Sequence, residues 1–125
     1  TNIVIYYLGD ALPDPATITL DVALEAEANL SVITRIELLG YASADETETT
    51  RTEAFVQRAT VHPLTEDVIL RTIDVRKSHR IKLPDAIIAA TALVPDFTLV
   101  TRNDADFGKI SGLKHWNPFT SPSPF

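Results

Sequence analysis

Glu37, Asp85, Asp104 and Asp106 are the residues whose type and setting could support chemistry. Each also has a local explanation. Thr34-Arg35-Ile36-Glu37 fits a capping box, with Glu37 reaching back to the backbone of Thr34. Asp85, directly after Pro84, suits the first turn of a helix, where an acid complements the dipole. Asn103, Asp104 and Asp106 fit turn chemistry. If these acids meet at one place, their like charges raise one another's pKa unless something positive sits between them. A hard divalent cation, Mg2+ or Mn2+, is the natural partner, held by a few carboxylates and several waters. Such an ion can activate a water and stabilise a leaving oxygen at a phosphodiester.

Whether the acids meet depends on the elements that carry them. Lys82 to Leu93 reads as a helix with no clean polar face, and Ala89, Ala90 and Ala92 allow close approach to a sheet. A helix apolar nearly all round is a buried one. Phe97 to Thr101 reads as a short strand and residues 102–106 as a turn. Leu30-Ser31-Val32-Ile33 reads as another strand, followed by a helix over Thr34–Tyr41 with Ile36, Leu38 and Leu39 inward. Residues 2–8 fit strand or helix equally, since a short apolar run does not decide by periodicity. Gly9, Pro13 and Pro15 break that element, and Leu20–Ala28 has helical spacing. Ala44–Ala59 reads as a charged helix with a weak apolar stripe at Ala54, Phe55 and Ala59. A strand at 60–64 follows, then a helix capped by Thr65 running through Arg76, and a last strand over Leu113–Trp116. This alternation implies an α/β domain with a parallel sheet. In such sheets functional groups gather beyond the carboxyl ends of the strands. Glu37, Asp104 and Asp106 follow strands in that sense, and Asp85 can join them from its helix.

Composition removes several alternatives. The 125 residues suit one domain, and the absence of cysteine excludes disulfides, thiol nucleophiles and Cys-based zinc sites. His62, His79 and His115 lack metal-ligand spacing, the four glycines form no phosphate loop, and no serine sits in a Gly-x-Ser-x-Gly elbow. No apolar run approaches a membrane span, and no signal peptide is visible. The net charge of −6 disfavours general polyanion binding, yet it is unevenly spread. Arg71, Arg76, Lys77, Arg80 and Lys82 are opposed only by Asp74 within their stretch, a local +4 that leaves −10 for the remainder. That asymmetry points to an anionic partner at one place on an acidic body. The sequence has no methionine and opens on Thr1, which reads as trimming at the N-terminus.

Four segments stand in the order of a known family. Thr1-Asn2-Ile3-Val4, Ile33-Thr34-Arg35-Ile36-Glu37-Leu38-Leu39, Leu83-Pro84-Asp85-Ala86-Ile87-Ile88-Ala89-Ala90-Thr91-Ala92 and Thr101-Arg102-Asn103-Asp104-Ala105-Asp106-Phe107 resemble the motifs of PIN domains, most of all the VapC toxins of VapBC toxin–antitoxin pairs. The likeness covers residues 1–117 and leaves 118–125 as a Pro/Ser-rich tail, expected to be mobile. It implies a three-layer α/β/α domain with a central parallel sheet, whose first strand and first metal-binding aspartate would precede Thr1. It further implies a metal-dependent endoribonuclease using Mg2+ or Mn2+, cytoplasmic, homodimeric, and paired with a VapB-like antitoxin. Glu37, Asp85 and Asp106 match the acidic positions, with Asp104 a neighbouring extra acid. Thr101 and Asn103 match the polar residues that support the last acid. Arg76, Lys77, Arg80 and Lys82 are candidate RNA contacts. Two rivals remain: a non-catalytic PIN-like module binding RNA or protein, and a phosphoacceptor receiver domain. The second lacks a lysine suitably placed at a strand end.

Overall fold

A computed structural model of the chain describes residues 3, 4, 8, 12–40 and 45–122. From Asp14 onward it runs α1 (Asp14–Ala26), β1 (Asn29–Ser31), α2 (Val32–Gly40), α3 (Glu46–Arg58), β2 (Thr60–His62), α4 (Glu66–Ser78), α5 (Leu83–Leu93), β3 (Thr98–Val100), α6 (Asp104–Phe107) and β4 (Lys114–Trp116). Ile3, Val4 and Leu8 are helical, so the apolar opening is no strand at these positions. The whole is a three-layer α/β/α arrangement around parallel strands.

The helix starts follow from their first residues. Thr65 accepts the Val68 N–H through its hydroxyl (3.3 Å) and Asp45 accepts those of Thr47 and Glu48, the side-chain capping that frees α4 and α3 from fraying. Helix α1 starts six residues earlier than the periodicity at Leu20 predicts. Pro15 lies in its first turn, where proline initiates rather than breaks. Its inner face is Ala16, Leu20, Ala23 and Leu24. Helix α2 starts at Val32 instead of Thr34, because the Ser31 hydroxyl accepts the Thr34 N–H (3.0 Å). Thr34 and Leu38, four residues apart, form its buried stripe, so Leu38 is buried but Ile36 is 60% and Leu39 46% exposed, against the inward placement expected of all three. In α3 the buried pair is Phe55 and Val56, while Ala54 is exposed. The segment expected as a turn at 102–106 contains the short helix α6.

Helix α5 is the centre of the packing. Residues Ala86 to Ala92 are all buried, and Ala86, Ala89 and Ala90 have no exposed surface. Val75 of α4, Phe107 of α6, Ile81 and Ile110 close around it. The strands pair in parallel, β1 with β2 (Leu30↔Val61) and β3 with β4 (Leu99↔His115). The one continuous sheet that was expected is, among the described residues, two such pairs. Helix α5 packs on both β1 and β3. Between the pairs lies a cavity of about 460 Å³, walled by Leu30, Leu99, Val100, Leu20, Leu24 and Ile88. No described strand supplies hydrogen bonds between β1 and β3, which is why the sheet divides there. In the expected tail, Pro118 is buried and Phe119 half-buried.

Candidate functional site

The loop after β3 is built from its own side chains. The Thr101 hydroxyl accepts the Asn103 N–H (3.1 Å). Asn103 Oδ1 accepts the Asp106 N–H (3.1 Å), capping α6, and Asn103 Nδ2 donates to Asp106 Oδ2 (2.9 Å). One amide thus fixes both the backbone and the carboxylate of Asp106. Phe107 anchors the same turn in the core, and Gly108 closes it so tightly that a Cβ there would stand 2.6 Å from the Asp104 carbonyl oxygen. The Lys109 ammonium lies 3.8 Å from Asp106 Oδ1, an exposed pairing of small energetic consequence.

Asp85 occupies the first turn of α5, half-buried. Burial pushes its carboxyl pKa above the ordinary aspartate range, and the charges of Asp106 and Glu37 push it further, while Lys82 works the other way. The like charges that act on this acid of α5 thus come from α6 and α2. Glu37 lies in the second turn of α2, which packs on α5. Because Ser31 caps α2, Glu37 stands outside the capping position that Thr34-Arg35-Ile36-Glu37 suggests.

Asp104 is engaged elsewhere. Its Oδ1 lies 3.3 Å from His115 Nε2, and its Oδ2 accepts from Asn117 Nδ2 (3.0 Å). It does not figure among the charges acting on Asp85. Arg71, Arg76 and Lys77 are exposed on α4, and Arg80 and Lys82 are exposed on the link into α5. The Arg80 carbonyl accepts from Lys109 Nζ (2.9 Å), joining that link to the end of the α6 turn. Sequence reasoning missed His115 and Asn117, since neither carries a local motif and both act only through strand β4's place beside β3. His62 is structural, bonding Asn29 (2.8 Å) and meeting the Phe97 ring edge-on at 5.6 Å.

The donor set of Glu37, Asp85 and Asp106 is all oxygen, as a hard divalent ion prefers. Among the described residues no three His, Asp or Glu side chains enclose an ion by themselves.

Fold and site together define an α/β domain with an acidic centre at the edge of parallel strands. The PIN domain family model matches residues 1–113, and the chain belongs to that family. Among solved structures it is similar to VapBC2 from Rickettsia felis bound to a promoter DNA fragment, with a TM-score of 0.75 and 23% identity over 93% of this chain and 95% of that one. A toxin–antitoxin complex from Klebsiella pneumoniae matches at 32% identity and a TM-score of 0.64, covering 79% of this chain and 82% of that one. DNA-bound VapBC from Salmonella typhimurium matches at 23% identity and a TM-score of 0.72, covering 90% of each chain. No curated protein matches.

Proposed function

We propose that this chain is the toxin of a VapBC-type pair, a divalent-metal-dependent endoribonuclease. The observation that carries the reading is the half-buried Asp85 in the first turn of α5, on which α2, the helix of Glu37, packs, with the charges of Asp106 and Glu37 adding to burial in raising its pKa. Burial and like charges make the ionised form of Asp85 costly, and a cation beside it would offset that cost. Asp85 and Asp106 would hold Mg2+ or Mn2+, directly or through water, with Glu37 completing the site. An ion held there would supply polarisation of a water and charge stabilisation at a leaving oxygen. Glu37, exposed in the second turn of α2, would order or deprotonate the attacking water. Asn103 keeps the Asp106 carboxylate aimed by its amide N–H. Arg76, Lys77, Arg80 and Lys82 would hold RNA by its phosphates, contacts that position the chain without reading its sequence.

The relatives crystallised as toxin–antitoxin complexes support a VapB-like partner for this chain. The exposed Ile36 and Leu39 on α2, with Leu70 and Ile73 on α4, offer apolar surface for that partner or for a homodimer. No described helix is long and apolar enough to cross a membrane; a toxin acting on cellular RNA would work in the cytoplasm.

The test is cleavage of a mixed RNA pool by the purified chain with Mn2+ or Mg2+, with chelator, and as Asp85→Asn. Metal-dependent endonucleolytic products from the wild type alone are expected. Products that persist in chelator or in Asp85→Asn overturn the assignment. RNA retained without cleavage favours a non-catalytic binding module.

A further inference from the structure

We infer that Asn117 is a positioning residue for Asp106, acting through a clasp that joins the end of β4 to the α6 turn. This rests on the reading of Asp106 as an acid of the site. Asn117 is 5% exposed, and its amide is fully used. Nδ2 donates to the Arg102 carbonyl (3.2 Å) and to Asp104 Oδ2 (3.0 Å), and Oδ1 accepts the Phe119 N–H (2.9 Å). A buried amide is retained only where such partners are present. The pattern also fixes its orientation, since a flipped amide would set oxygen against two acceptors.

The two residues that Asn117 grips, Arg102 and Asp104, flank Asn103, and Asn103 is what holds Asp106. Further ties bind the same two segments. Thr101 donates its N–H to the Trp116 carbonyl (2.9 Å), His115 meets the other oxygen of Asp104 (3.3 Å), and the Arg102 guanidinium lies 4.1 Å over the Phe119 ring. The α6 turn is only four residues long and is held from outside at both flanks of its cap. Asn117 therefore sets where Asp106 stands without touching it. Asp104, an acid beside the site in sequence, serves this clasp.

The decisive variants change polarity and keep volume. Asn117→Asp presents a carboxylate to the Asp104 carboxylate and the Arg102 carbonyl, so the α6 turn is pushed off its seat. Pairing it with Asp104→Asn restores a donor–acceptor pair in the reverse sense. Three readouts are taken on the full chain: kcat and KM on RNA, Mn2+ affinity by calorimetry, and the melting temperature without metal. For Asn117→Asp a fall in kcat of about tenfold or more is expected with KM little changed, since small misplacements of reacting groups act at this scale. Mn2+ affinity falls with it, and the double variant recovers both beyond what its melting temperature predicts. Equal kcat and Mn2+ affinity in Asn117→Asp overturn the proposal, as does a loss that only follows melting temperature and is not rescued. A wild-type chain that neither binds Mn2+ nor cleaves RNA overturns the functional reading and this proposal together, whereas an active wild type with an equally active Asn117→Asp overturns this proposal alone.

Discussion

Asp85 carries two opposed duties at the residue scale. Near the dipole of α5 an acid is welcome, yet burial and the charges of Asp106 and Glu37 make its ionised form costly. Its folded-state pKa is raised, so the folded protein holds that proton more tightly than the unfolded chain. The stabilisation is complete below the ordinary aspartate value of 3.8 and is lost as pH climbs through the raised value. At neutral pH the ionised Asp85 therefore weakens the metal-free fold. Asp85→Asn is expected to raise the melting temperature of metal-free protein at pH 7 and to flatten its decline just above the aspartate range. Added Mn2+ should raise the melting temperature of the wild type and leave the variant little changed. Melting curves across pH, with and without Mn2+, check both; a variant that melts lower than wild type at pH 7 refutes the electrostatic account. The sequence shows each acid but not this conflict, because every one has an innocent local role on offer. For Glu37 that role dissolves once Ser31 caps α2. For Asp104 the role that emerges is a partner across strands, which no local pattern announces.

At the scale of elements, sequence pattern located the helices well and their ends less well. The apolar run after Pro84 could only be a buried helix, and α5 is one. The hydroxyl and acids at 65–67 marked the start of α4 by capping alone. Pro13 and Pro15 misled because a proline reads as a breaker when the helix following it has its clearest periodicity further on, at Leu20, Ala23 and Leu24. Ile36 and Leu39 of α2 face solvent because its buried stripe is Thr34 and Leu38, four residues apart, and both lie off that stripe. The α6 turn was invisible as a helix since four residues give no period; its cap, Asn103, was the readable part. That cap separates two jobs. Asn103→Ala removes both the acceptor for the Asp106 N–H and the donor to its carboxylate, and should cost about 1 kcal/mol of stability besides most activity. Asn103→Asp keeps the capping oxygen and replaces the donor by a like charge, so stability should largely survive while cleavage does not. Chemical denaturation and RNA cleavage on the two variants resolve the jobs, and equal stability loss in both would show that capping is not what Asn103 supplies.

Over the whole molecule, the division of the strands into two parallel pairs sets the largest energetic question. Parallel sheets are ordinarily covered on both faces and continuous within, and here α5 spans both pairs from one side. Leu20 and Leu24 of α1, with Ile3 and Val4, wall the cavity, and Leu30 of β1 and Leu99 of β3 face it across the gap. The alternation of strands and helices made the parallel order legible in the sequence; the gap was not, since it follows from what lies between β1 and β3 and not from either strand's residues. The space is lined by residues of β1 and β3 and of helices α1 and α5. A β-forming segment supplied to the protein, able to hydrogen-bond to both β1 and β3, tests whether strand pairing fills that space. Pairing with both edges should stabilise the fold by at least the net worth of one hydrogen bond, about 1 kcal/mol. In a domain of this size that corresponds to a rise in melting temperature of about 4 °C. The same segment with proline at its centre lacks a ladder N–H and should give little or no rise. A proline-bearing segment that stabilises equally would mean that added apolar mass, and not strand pairing, fills the cavity.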